Sequence, residues 1–235
     1  MQVRVEGTED IKRMFASLGA EGAKKALVKT INSTAYHTRM KLTAKISTVF
    51  DRPRPITKSA VVYHKALASM AKPTASVELG NNPSKTMQIN HYLAAQIFGG
   101  KRDLKRSETI LKQKGILPQG KITRPGPHAT IDQYGNMPGS QIVQMLSQLQ
   151  LFSEQGYSAN ATTPGTGKYR YFVKKGKGIF RRVRGATGAQ EAMMFFIDSP
   201  TYKIRFDLYG VGLKEAARVL PIVANEEMDY ALKHY

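Results

Sequence analysis

Apolar or small side chains recur at Leu27, Ile31, Ala35, Thr38, Leu42, Ile46 and Val49, in steps of four, four, three, four, four and three. That is the spacing of one helix face, and it predicts a long amphipathic helix from Glu21 to Phe50. At about 1.5 Å per residue such a helix reaches roughly 40 Å, long enough to serve as the spine under a sheet. Its other face carries Lys24, Lys25, Lys29, Arg39, Lys41 and Lys45 with no acid after Glu21, so the polar side is one-signed. The run Asp51-Arg52-Pro53-Arg54-Pro55 ends it, because proline disfavours helical geometry in the residue before it and has no N–H to continue the ladder.

The flanking patterns are shorter. Val3 to Val5 reads as a strand or arm, and a brief helix is expected from Asp10 to Leu18, stopped by Gly19. Ile56 to Ala60 forms at most one further turn. Val61 to Ala66 and Thr74 to Leu79 are rich in strand formers and are expected to pair as an antiparallel hairpin. His91 to Phe98, with Leu93 and Ile97 four apart, predicts a short helix closed by Gly99-Gly100. From Lys101 to Gly167 glycine, proline and polar residues dominate, which predicts turn-rich chain interrupted by two helices. One runs from Asp103 to Gln113; the other starts at Ser140 as N-cap and carries Ile142, Met145, Leu146, Leu149 and Phe152 on one face. Tyr169 to Val173 and Gly178 to Val183 then form a second hairpin around Lys174-Lys-Gly-Lys177, and Ala192 to Ile197 is continuously apolar, as a central strand would be. A closing helix spans Asp207 to Lys233, with Pro221 expected to kink it or restart it.

Together these elements predict an α+β fold. The long N-terminal helix packs on a small, mostly antiparallel sheet, with a turn-rich insertion and a C-terminal helix. The expected organisation is one domain with an insertion: residues 1–100 hold the first helices and hairpin, 101–167 form the inserted arm, and 168–235 hold the second strand group and the closing helix.

Composition sharpens the functional picture. Within 235 residues, Lys+Arg 36 against Asp+Glu 17 leaves a net charge of +19, which points to a phosphate-rich partner or to acidic neighbours in an assembly. Cysteine is absent, which removes disulfides and thiolate chemistry and suits a reducing cytoplasm. No signal peptide is expected in Met1 to Glu6, and the longest apolar run, Ala192 to Ile197, is too short to span a bilayer.

Enzymatic signatures are incomplete. Gly165-Thr-Gly-Lys168 resembles the end of a phosphate-binding loop, but Thr162 stands where a glycine is needed and Tyr169 where Ser or Thr is needed. Gly156-Tyr-Ser-Ala-Asn160 lacks the last glycine of a nucleophile elbow, and Ser158 follows a helix. His37, His64, His91, His128 and His234 show no metal-ligand spacing. No catalytic residue, metal or cofactor is therefore expected.

The positive signal lies in the cations. Arg52, Arg54 and Lys58 punctuate the proline-rich exit, and Lys101, Arg102, Lys105 and Arg106 follow the Gly-Gly stop. Lys174, Lys175, Lys177, Arg181, Arg182 and Arg184 form a third cluster with no acid among them, interleaved with Tyr169, Tyr171, Phe172 and Phe180. Such a hairpin could track a nucleic-acid backbone and stack on bases. The same aromatics are also what a half-buried strand requires, and a solvated hairpin or protein interface is the alternative. Tyr134, Met137, Glu226, Glu227 and Asp229 are candidate subunit contacts.

Ala26-Leu-Val-Lys-Thr-Ile-Asn32 at the start of the long helix, the proline-rich exit, Thr57-Lys-Ser-Ala-Val61, the hairpin and Tyr92-Leu-Ala-Ala-Gln-Ile-Phe-Gly-Gly100 follow one another in a distinctive order. A strand leading into Pro200-Thr-Tyr-Lys-Ile-Arg-Phe206 and a closing helix complete it. This order of parts resembles tailed-bacteriophage neck and tail-completion proteins, of which the lambda-type minor tail protein Z is one kind. The likeness covers roughly residues 20 to 100 and 190 to 235, and the segment 101–167 departs from the shortest members. It implies an α+β subunit of a homo-oligomeric ring at the head–tail junction, located in the virion after assembly in the host cytoplasm. Its implied partners are phage head, connector and tail proteins, with non-specific contact to double-stranded DNA and no enzymatic activity. The alternative is a free basic nucleic-acid-binding protein or packaging accessory that grips phosphates without base readout.

Overall fold

The computed structural model describes residues 2–5, 19–80, 89–151, 169–183 and 189–234. The helix expected over Asp10 to Leu18, the loops around Ser158 and Gly165, and Arg184 lie outside the described residues. The chain divides into two compact units, Met1–Gly99 with Lys203–Tyr235, and Gly100–Tyr202.

In the first unit, α1 (Gly19–Val49) is the unbroken rod its periodicity predicts. Ile31, Ala35, Thr38, Leu42 and Ile46 are fully buried along one stripe. Threonine is tolerated there because its hydroxyl bonds back one turn: Thr34 Oγ1 donates to the Thr30 carbonyl at 2.8 Å and Thr38 Oγ1 to that of Thr34 at 2.9 Å. The stripe covers a three-stranded antiparallel sheet of β1 (Gln2–Val5), β2 (Val61–His64) and β3 (Ala75–Leu79) in the order β1-β3-β2. Between α1 and β2 lies a single helical turn, α2 (Pro55–Lys58). Asn32 fixes the chain leaving β2: its Nδ2 donates to the Ala66 carbonyl at 3.0 Å and its Oδ1 accepts from the Ala66 N–H at 2.7 Å.

Helix α3 (Ile89–Phe98) forms as expected and ends at Gly99 and Gly100, both at positive φ, where a glycine avoids the Cβ clash. Its Gln96 carbonyl accepts from the Arg205 and Phe206 N–H groups at 2.8 and 3.0 Å, which seats Phe206 fully buried in the core. The closing helix α6 (Leu208–His234) lies along α1 on a seam of Ala26, Ala224 and Ala231, whose small side chains allow close approach. Pro221 sits inside α6, which continues as one helix through it rather than restarting.

The second unit begins and ends on one bridge: the Gly100 N–H donates to the Tyr202 carbonyl at 3.0 Å, and the Tyr202 N–H to that of Gly100 at 2.8 Å. It holds α4 (Arg106–Gln113), β4 (Lys121–Pro125), α5 (Gly139–Gln148), β5 (Tyr169–Lys174), β6 (Gly178–Val183) and β7 (Gln190–Asp198). The strands make an antiparallel sheet in the order β4-β7-β6-β5, with β7 internal as its apolar run predicts. Two expectations change here. The second strand group does not resume the first sheet, and the segment read as turn-rich supplies β4, which pairs with the C-terminal half of β7 from Met194 to Asp198. The inserted segment and that strand group therefore belong to one unit with its own core of Leu111, Leu117, Met145, Leu146, Tyr171, Ile179, Met193, Met194 and Phe196. Helix boundaries shift too: Lys105 is extended and caps α4, so that helix starts at Arg106, and Pro138 rather than Ser140 is the N-cap of α5. No helix among the described residues is long and apolar enough to cross a membrane.

Candidate nucleic-acid interface

Leu111, Met145 and Leu146 of the helices pack with Tyr171, Ile179, Met194 and Phe196 of the sheet, so alternation along each strand decides which side chains share that core face and which take the opposite one. Tyr171 and Ile179 point into the core. Their neighbours point the other way: Phe172 lies directly across from Phe180, and Arg170 from Arg182. The two rings stack at 6.1 Å between centroids, and Phe180 meets Phe195 of β7 edge to face at 6.2 Å. On the far side of Phe195, Arg124 of β4 stands directly opposite it and is exposed. The result is a row of three half-buried phenylalanines across three strands.

Cations sit on the row. Lys174 Nζ lies 4.5 Å from the centre of the Phe180 ring, and the Arg182 guanidinium carbon 5.2 Å from that of Phe172. Lys175 and Lys177 are exposed in the turn between β5 and β6. Local backbone geometry makes this packing possible. A β-bulge between Ile179 and Phe180 shifts the register, so Ile179 faces Met194 while Phe180 faces Ala192. At Gly178 φ is 153°, and a Cβ there would collide with the Met194 carbonyl oxygen, so only glycine lets β6 lie so close to β7.

Three of the expected phosphate ligands are used by the protein's own carboxylates. Arg181 is paired with Glu191, the residue opposite it on β7, and is mostly buried. Arg102 grips the fully buried Glu108 with both Nη atoms, at 2.7 and 2.6 Å. Glu108 also accepts from the Lys105 N–H at 2.7 Å and from the Thr123 N–H and Oγ1 at 2.7 and 2.8 Å. Burial alone pushes this carboxyl up, but the Arg102 bonds and the two backbone N–H groups outweigh it and hold the pKa at about 2. The same pairing raises Arg102 above the ordinary arginine range. Arg52 lies 3.1 Å from Asp51, which offsets its charge at the surface. Lys101, Lys105 and Arg106 are exposed, as are Arg54 and Lys58 in the first unit.

On α1 the polar face is less one-signed than its sequence, because α6 brings acids to it. Lys29 stands 3.9 Å from Glu227 and 4.2 Å from the centre of the Tyr230 ring. Arg39 reaches across to the Val61 carbonyl at 3.1 Å. Glu215 is held below the usual carboxylate range by its bond to Arg218, with smaller help from Lys41 and His37. Glu226 and Asp229 are exposed on α6, whereas Glu227 is engaged within its own unit. Met137 packs on the core of the second unit, and Tyr134 sits in a turn where Asp132 Oδ1 accepts from the Tyr134 and Asn136 N–H groups at 2.9 and 2.8 Å.

Arg124 and Phe195 are the members of the aromatic row that the sequence analysis did not single out. Their signal is cross-strand pairing: that of Arg124 becomes readable only once β4 is known to be a strand, that of Phe195 from the pairing of β7 with β6. A separate cleft on the helical side, lined by Thr130, Ser140, Gln141, Tyr171 and Arg181, has its one cation tied to Glu191. Among the described residues no group of three His, Asp or Glu side chains could hold a metal ion. No protein-family model, curated protein or solved structure matches the chain.

Proposed function

We propose that this chain is a non-enzymatic, nucleic-acid-contacting structural subunit, of the tail-completion or neck type found at the head–tail junction of tailed phages, repeated as a homo-oligomer around the DNA channel. One observation carries the contact: on the face of the second sheet opposite Tyr171 and Ile179, Arg124, Arg170, Lys174 and Arg182 have no acidic partner among the described residues. The two acids of β7, Glu191 and Asp198, are each held by a cation, Arg181 and Lys121. A face of that sign attracts phosphate without reading sequence. The neck setting is supported by the order of parts in the first unit, a basic rod, proline exit, hairpin, helix to Gly-Gly and closing helix, and by the +19 charge. Contacts in such a conduit have to be few per subunit, since a tight grip would stall DNA passage.

Titration of duplex DNA over a salt series tests this. Four phosphate contacts give a slope of log K against log salt of about −3.6, and removing one of the four arginines or lysines should lower it by about 0.9. A slope that ignores Arg170→Gln, Lys174→Gln and Arg182→Gln would sink the assignment of this face. The second reading, a free nucleic-acid-binding or packaging accessory protein, is favoured by the phenylalanine row, which a duplex conduit does not need. Sub-micromolar binding by a monomer at physiological salt would favour it, and weak monomer binding with ring formation in assembled particles would favour the neck.

A further inference from the structure

We infer that the face of the second sheet opposite Tyr171 and Ile179 prefers single-stranded nucleic acid, with unpaired bases stacking on Phe172 and Phe180 while Arg124, Arg170, Lys174 and Arg182 take the phosphates. This rests on the phosphate-contact reading above and adds the substrate class. Salt-bridged or solvated cations alone would account for phosphate binding; they would not account for three phenylalanines held in a row on the face opposite the core residues Tyr171 and Ile179. Phe172 and Phe180 are half-buried, and among the described residues the Arg182 guanidinium and the Lys174 ammonium lie over their rings.

That arrangement is a site whose covers can exchange. A base stacked on an aromatic ring outweighs an exposed cation–π contact. When a strand arrives, its bases displace Lys174 and Arg182 from the ring faces, and the freed cations swing onto the phosphates a few ångströms away. Phe172 and Phe180 lie on adjacent antiparallel strands, about 5 Å apart in the pairing direction, so their rings offer two neighbouring stacking positions. A duplex offers this face only phosphates, because its base faces are already stacked. An acidic protein segment offers charge but no ring to stack.

The test uses the full chain and fluorescence anisotropy with a labelled oligothymidylate of about 12 nucleotides, a duplex of the same length and polyglutamate as competitor. The single strand should bind about tenfold more tightly than the duplex. Phe172→Leu and Phe180→Leu keep the apolar bulk and so the fold, checked by circular dichroism. Each should weaken strand binding by about tenfold and leave duplex affinity and its salt slope unchanged. Arg182→Gln should weaken both ligands. Equal wild-type affinity for strand and duplex, unaltered strand binding in the two leucine variants, or displacement by polyglutamate as efficient as by oligothymidylate would each overturn the inference while leaving phosphate contact standing. Absence of binding to both strand and duplex would overturn the two readings together.

Discussion

Replacing Glu108 with glutamine removes the charge from the most densely bonded side chain among the described residues of the second unit. The carboxylate accepts five hydrogen bonds from Arg102, the Lys105 backbone and Thr123, and it is fully buried. A glutamine has one acceptor oxygen, so its amide nitrogen would face donors, and Arg102 would be left with a charge and no counter-charge. Two independent magnitudes converge. Breaking one side of a buried ion pair costs about 3–5 kcal/mol. Holding the carboxyl at about 2 instead of an ordinary 4.5 corresponds to about 3 kcal/mol. The sign follows from the depressed value: this stability is present above about pH 4.5 and is lost as pH falls through about 2. Urea unfolding followed by circular dichroism, with hydrogen exchange at the amides of α4 and β4 to isolate this unit, should show Glu108→Gln less stable by about 3 kcal/mol at pH 7. The gap to wild type should close between pH 5 and pH 2. Arg102→Met combined with Glu108→Leu should recover only the part of the loss due to the stranded arginine charge, because the Lys105 and Thr123 donors still lose their acceptor. A glutamine variant as stable as wild type at pH 7, or a gap that does not depend on pH, would refute the account.

Other expectations follow from single contacts. Gly178→Ala places a Cβ against the Met194 carbonyl at a φ that alanine avoids, and should destabilise the second unit by roughly 3 kcal/mol, read as faster exchange at β6 and β7 amides. Asn32→Ala removes both bonds to Ala66 and should lower the stability of the first unit by about 2 kcal/mol in urea unfolding; an unchanged midpoint would show that the chain after β2 is held by other contacts. Pro221 is exposed inside α6, so Pro221→Ala restores one helical hydrogen bond and should raise the thermal midpoint, with a gain of about 2 kcal/mol.

The rod was legible because seven positions kept helical spacing from Leu27 to Val49, and burial of Ile31, Leu42 and Ile46 follows that spacing. Both hairpins were legible from β-rich runs around turns. The strand β4 was not: Lys121-Ile-Thr-Arg-Pro125 has one strongly apolar residue and ends in proline, and only the ladder to β7 makes it a strand. Missing β4 hid the independence of the second sheet. The same gap hid the fate of the cations. Arg102 and Arg181 read as free because no acid stands beside Arg181 in the chain, and Glu108 gives no sign in sequence that it folds back on Arg102. Partners ten residues apart on neighbouring strands, as Arg181 and Glu191 are, become visible only with register. Phe172 and Phe180 were picked out as aromatics interleaved with cations on a hairpin, and their shared face needed only the pairing of β5 with β6 to follow.

Gly100 and Tyr202, bonded to each other in both directions, make the second unit a cassette whose entry and exit share one doorway. Residues paired in this way have Cα atoms only about 5 Å apart, a gap that a tight turn can close. Excising 101–201 and joining the flanks would therefore demand little of the host rod and sheet in chain-closure entropy, which grows only slowly with loop length. Evolution could add, remove or exchange such a graft without redesigning the scaffold that carries it.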